Sequence, residues 1–119
     1  MNYFNSSGEF QTDTLNQLEP ILDIALNAHQ TGDYDEYARV ATGDLLSDVS
    51  RESFDRGYRK VGRPLGLLVT KRFLGAVRKA EGPLLVYAAT YSQCDVELVL
   101  SVLFTEQDDE LKIDWLWIE

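Results

Sequence analysis

The chain has one cysteine and one histidine among its 119 residues. A single thiol, Cys94, cannot make an internal disulfide, so the fold must rest on packing, and such a chain suits a reducing compartment. One imidazole, His29, beside one thiol is too few ligands for a histidine-cluster metal site, so no metal and no other cofactor is expected. No apolar run approaches the length that spans a bilayer, and residues 1–10 lack the basic and apolar stretches of a secretory leader. These absences predict a cytoplasmic protein with no membrane partner.

Basic residues are scarce except in one stretch. Residues 1–50 carry nine acids and one base, residues 51–82 nine bases and three acids, and residues 83–119 eight acids and one base. The net charge of −9 disfavours nucleic acid as a partner. What the chain has in quantity is apolar surface: 45% hydrophobic residues and 11% aromatics predict one folded domain over 1–119 with a real core. Residues 1–12, polar and rich in Ser and Asn, read as a loose arm.

Two periodicities divide the rest. Leu15, Leu18, Leu22, Ala25, Leu26 and His29 recur at helical spacing, with Asp13 or Thr14 as cap, a kink or restart at Pro20 and a stop at Gly32. Asp33 opens a second helix with Tyr34, Tyr37, Ala38 and Ala41 on its apolar side, closed by Gly43. Leu45 and Leu46 read as a linker or short strand. Ser50 caps a third helix whose buried stripe is Phe54, Tyr58 and Val61, stopped by Gly62 and Pro64. From Leu65 the period becomes two. A long strand with a bulge or bend at Gly75 is followed by a turn at Glu81-Gly82-Pro83 and a strand carrying Leu85, Tyr87, Ala89 and Tyr91 on one face. Val96–Thr105 and Glu110–Ile118 form a hairpin about the acidic turn Gln107-Asp108-Asp109. Three helices followed by a four-stranded antiparallel meander is an α+β layout.

The opening helix, Asp33-Tyr34-Asp35-Glu36-Tyr37, the Ser50–Gly62 helix, Pro64-Leu65-Gly66 and the closing Leu111-Lys112-Ile113-Asp114-Trp115 resemble the nuclear transport factor 2-like superfamily, and within it the small bacterial members without an assigned activity. The resemblance covers nearly the whole chain. It implies a strongly curved sheet wrapped around three N-terminal helices, a cone with an open end. It leaves function open, since that superfamily contains isomerases, dehydratases, ligand binders and dimerisation modules. Its isomerase-type enzymes use a carboxylate base and an acidic donor inside the cone. No paired acids stand out here, and no catalytic residue is assigned.

Three groups of residues are candidates for function. Phe54, Tyr58, Phe73, Tyr87, Tyr91 and Trp115 are aromatics, half of them tyrosines with polar tips, that either fill the core or line a pocket for a small organic ligand. Arg56, Arg59 and Arg63, with Lys60, Lys71 and Arg72 nearby, form a basic island that either holds an anion or an acidic partner, or pairs with the chain's own acids. In the third strand Val96, Leu98, Leu100, Val102 and Phe104 face the helices. Val99 and Leu103, joined by Leu116 and Ile118, give the sheet a second apolar face, which predicts a homodimer packed sheet to sheet, the alternatives being cover by the first helix or by a different protein. His29 reads as a cation in the last helical turn, and Cys94 as inert. The expected protein is a non-catalytic module that homodimerises and holds a small ligand. The alternatives are a small isomerase- or dehydratase-like enzyme and a subunit that binds an acidic partner.

Overall fold

The computed structural model describes residues 2–119. Four helices, α1 (Leu15–Thr31), α2 (Tyr34–Val40), α3 (Gly43–Asp48) and α4 (Arg51–Gly57), precede four strands, β1 (Leu68–Arg78), β2 (Pro83–Tyr91), β3 (Leu98–Gln107) and β4 (Glu110–Ile118). The strands form one antiparallel sheet in the order β1-β2-β3-β4. The architecture is therefore α+β, as the change of period predicts. The sheet is open, with β1 and β4 at its edges, and is not strongly curled, which corrects the expectation of a strongly curved sheet wrapped into a cone.

Two N-caps follow the sequence and one does not: the Thr14 hydroxyl, at the start of α1, donates to the Gln11 carbonyl at 2.7 Å instead of capping, and Gly43 begins α3 rather than closing α2, which ends at Val40. Asp33 accepts the Glu36 N–H at 3.2 Å and Ser50 accepts the Ser53 N–H at 3.1 Å. Gly32 closes α1 at φ 70°, and a Cβ there would also lie 3.0 Å from the ring of Tyr58. Helix α1 passes through Pro20 unbroken. Pro20 and Asn16 are both exposed, so water can serve the Asn16 carbonyl that loses its helical partner. Two further expectations fail. Leu45 and Leu46 lie in α3, because Thr42 caps that helix by accepting the Leu45 N–H at 3.1 Å. Gly62 and Pro64 do not end the third helical segment, which widens into a π turn at Tyr58–Gly62 and runs on through Leu65 until Gly66 takes φ 82°.

The arm at the N-terminus is not loose. Met1 lies outside the described residues, but Tyr3 and Phe4 are buried, and Phe10 packs edgewise on Phe4 and against Phe73 at centroid distances of 5.6 and 5.5 Å. The polar composition of residues 1–12 hides three aromatics, and these supply the docking energy.

The inner face of the sheet meets α1 across one core that includes Leu18, Leu22, Leu85, Leu100, Val102, Phe104 and Ile113, all completely buried. The thinnest dimension is 19 Å, that of one helical layer on one sheet. Among the described residues no helix covers the outer sheet face, where Val77, Val99, Trp115 and Trp117 are about half exposed.

Register in the sheet departs from simple alternation at three bulges. Two are in β1, at Val69 and at Leu74, next to the expected bend at Gly75. The third decides the function of β4. Leu103 pairs with Trp115 and Phe104 pairs with Ile113, so Asp114 is an extra residue on β4. One extra residue exchanges the faces of everything beyond it. Leu111 and Ile113 face the core, as expected. Past Asp114 it is Leu116 and Ile118 that face inward, and Trp115 and Trp117 that face outward, 47% and 52% exposed. This corrects both β4 assignments: Leu116 and Ile118 leave the outer apolar face, and Trp115 joins it.

The bulge is held from across the chain. Ala41 makes a single parallel bridge to Ile113, and the Thr42 N–H donates to the Ile113 carbonyl at 2.9 Å. The Thr42 hydroxyl then donates to Asp114 Oδ1 at 2.7 Å. A carboxylate that accepts a hydroxyl donor 72 residues away fixes where the extra residue sits. Elsewhere the two-residue loop Asp108-Asp109 takes φ of 54° and 63°, the left-handed pair that a tight hairpin needs. Among the described residues no helix is long and apolar enough to cross a membrane.

Candidate functional site

A cavity of about 280 Å³ opens between the C-terminal end of α1, α2, α4 with its π turn, and the ends of β2 and β4. Its apolar wall is formed chiefly by Phe54, Val61, Leu65, Leu116 and Ile118, and the outward-facing Trp117 also borders it. The bulge at Asp114 is what turns Leu116 and Ile118 into this space. Gly62 lets the π turn approach α1, since a Cβ there would lie 3.0 Å from the His29 carbonyl oxygen. No Asp, Glu, Lys or Arg borders the cavity.

Its polar groups come from His29, Gln30, Tyr37, Ser53 and Tyr91. The half-buried His29 ring packs on Tyr37 and on Phe54, both at 5.0 Å between centroids. Burial without a charged partner lowers its pKa to about 4, so the imidazole is neutral at physiological pH. Burial likewise pushes the Tyr37 hydroxyl up to about 12 and the Tyr91 hydroxyl above its ordinary value. This corrects the expectation of a cation at a helix end. The sequence does carry a signal for a buried neutral ring: His29 lies on the apolar stripe of α1, in step with Leu22 and Ala25.

The structure brings two of the six candidate pocket aromatics, Phe54 and Tyr91, to the cavity. Tyr58 lies instead over Gly32, with the Arg63 guanidinium 5.3 Å from its ring centroid. Phe73 stacks edgewise on Tyr87 in the core beneath β1 and β2, at 5.5 Å. The Tyr87 hydroxyl donates to Glu19 at 2.9 Å, and Lys71 reaches Glu19 at 3.6 Å and Asp23 at 3.4 Å. Tyr87 is thus a core ring with a fixed partner, its pKa raised by burial first and by the Glu19 carboxylate second. Trp115 stacks on Trp117 outside, at 5.9 Å and 22°.

The basic island is dispersed. Arg56 reaches Glu52 at 3.3 Å, Arg72 reaches Glu97 at 2.9 Å, Arg63 covers Tyr58 and Lys71 serves the acids of α1. Arg59 is exposed on the π turn. Cys94 is a free, half-buried thiol.

On the outer sheet face the register sets out three rows across the strands. Val77, Leu84, Leu103 and Trp115 form one; Gly75, Val86, Ser101 and Trp117 the next; Arg72, Ala88, Val99 and Glu119 the third. Val77, Val99 and both tryptophans are about half exposed.

No family model, no curated protein and no solved structure matches this chain.

Proposed function

We propose that this protein is a non-catalytic module that self-associates through the outer face of its sheet and holds a small organic molecule in the cavity. The observation that carries the reading is the apolar outer face on which Val77, Val99, Trp115 and Trp117 stand about half exposed around the buried Leu103. Four strands at about 4.8 Å spacing and ten residues at about 3.3 Å give this face a projected area of roughly 600 Å². That is the scale of the ~800 Å² of accessible surface each partner gives to a stable interface. Two half-exposed tryptophans on it are the side chains most enriched as anchors of binding energy.

A second copy is the occupant that the charges favour. A two-fold axis along the strands, between β2 and β3, lays β1 of one copy over β4 of the other. The third row then sets Arg72 opposite Glu119 twice, once on each side of the axis, while the two inner rows remain uncharged. Aligned packing of two such sheets produces a sandwich with the helices outside.

The order of helical segments before an antiparallel meander, with a cavity where helices and strand ends meet, supports membership of the nuclear transport factor 2-like superfamily. An isomerase-type enzyme on this scaffold would need a carboxylate in the cavity. The border offers the neutral His29 in that place, with no acid to orient it, which favours the binding reading.

Sedimentation velocity tests the interface. The native chain is expected to be a dimer at micromolar concentration, and Trp115→Lys or Trp117→Lys a folded monomer, because these half-exposed positions tolerate a lysine in the single chain but would bury an unpaired ammonium between two sheets. A monomeric native chain would refute self-association.

A further inference from the structure

The polar groups bordering the cavity divide into those already engaged and those that are not. Gln30 Oε1 accepts the Leu68 N–H at 2.6 Å, which leaves its Nε2 as a further donor, and the Ser53 hydroxyl donates to the Ser50 carbonyl at 3.1 Å. The imidazole of His29 and the hydroxyls of Tyr37 and Tyr91 make no hydrogen bond among the described residues. The one side-chain polar atom of those residues that is both sealed from solvent and unpartnered is Oη of Tyr3. The groups of His29, Tyr37 and Tyr91 therefore have open space beside them, and all three residues border the cavity.

We propose that the cavity takes an uncharged molecule of one or two rings bearing a hydroxyl, with the rings against Phe54, Leu116 and Ile118 and the hydroxyl among His29, Tyr37 and Tyr91. The proposal rests on the binding reading above and adds the chemical class.

Size, charge and hydrogen bonding each narrow the class. An apolar cavity of about 150 Å³ holds benzene, so 280 Å³ accommodates one to two rings. Charge is excluded from both sides. A carboxylate or phosphate would lose its hydration with no Lys or Arg on the border to replace it, and an ammonium would find no Asp or Glu. A ring system with no polar atom would fit the apolar wall but leave all three polar groups unserved. A hydroxyl serves them best. Neutral imidazole has one donor and one acceptor nitrogen, each tyrosine hydroxyl both donates and accepts, and an alcohol or phenol does both as well. Such a ligand is matched whichever tautomer His29 adopts. The lowered pKa of His29 keeps the acceptor nitrogen available at neutral pH.

Three probes of similar size separate the terms: phenol, toluene and benzoate, titrated at pH 7 into the full chain and followed by calorimetry and by NMR shifts of Gly62 and of the Trp117 indole. Phenol is expected to bind about fivefold more tightly than toluene, or better, the worth of one net hydrogen bond. Benzoate is expected to bind more weakly than either. In His29→Phe, and in the gentler Tyr91→Phe, toluene should bind as before while the preference for phenol shrinks. Retained toluene binding shows that the cavity survives the substitution. Equal affinity for phenol and toluene, or a preference for benzoate, would overturn the ligand class and leave the cavity a binding site. No shift at Gly62 or Trp117 with any of the three would overturn the binding reading itself.

Discussion

Acid should unfold this protein partly through one residue. The folded chain holds His29 neutral between Tyr37 and Phe54, with a pKa of about 4, whereas an unfolded histidine titrates at 6.5. The folded pKa is the lower one, so the unfolded state binds the extra proton, and stability is lost as pH falls from about 6.5 towards 4. Full titration of that difference corresponds to roughly 3 kcal/mol, and about 2 kcal/mol of it falls between pH 7 and pH 5. The variant that isolates it is His29→Phe, which keeps a ring against Tyr37 and Phe54 and removes the titration. Urea melts of both proteins at pH 7, 6, 5 and 4.5, at one fixed protein concentration because self-association shifts stability, give two curves. Carboxylates elsewhere titrate in both and cancel in the difference. The stability difference, variant minus native, should move in favour of the variant by about 2 kcal/mol from pH 7 to pH 5. A difference that stays flat would show that His29 titrates in the folded state as it does in the unfolded chain, and is not desolvated.

Two further substitutions probe the elements that set the site. Thr42→Val removes both the cap of α3 and the hydroxyl bond to Asp114, and should lower unfolding free energy by roughly 2–3 kcal/mol in urea. Thr42→Ser should recover most of this, and a Val variant as stable as the native chain would remove the anchor argument for the bulge. Tyr87→Phe should cost roughly 1 kcal/mol, since it cuts the bond to a partly solvated Glu19, while Tyr91→Phe should change stability by less than about 0.5 kcal/mol. Equal costs at the two positions would contradict the assignment of Tyr87 to the core and Tyr91 to the cavity.

Local chemistry makes much of this chain legible from its residues alone. Caps at Asp33 and Ser50, the glycine stop at Gly32, the switch of period near Leu65 and the two hairpin turns act within a few residues, so the sequence states them directly. The inner faces of β2 and β3 follow from strict alternation, and Leu85, Tyr87, Leu100, Val102 and Phe104 lie where alternation puts them. Alternation misplaces the end of β4 for a physical reason. A strand's faces depend on its register with its neighbour, and one extra residue reverses them. Whether Asp114 is such a residue depends on Thr42, which reaches it from another part of the chain. The consequence spreads from there. With the bulge, Leu116 and Ile118 line a cavity and the tryptophans form an outer patch. Without it, the same four residues would exchange roles. The sequence by itself determined three of the four helices, the four strands and that the sheet would bury one apolar face. Only the tertiary structure decided where the cavity lies, that His29 borders it uncharged, and which side chains of β4 face the solvent, because each of those depends on contacts between residues far apart in the chain.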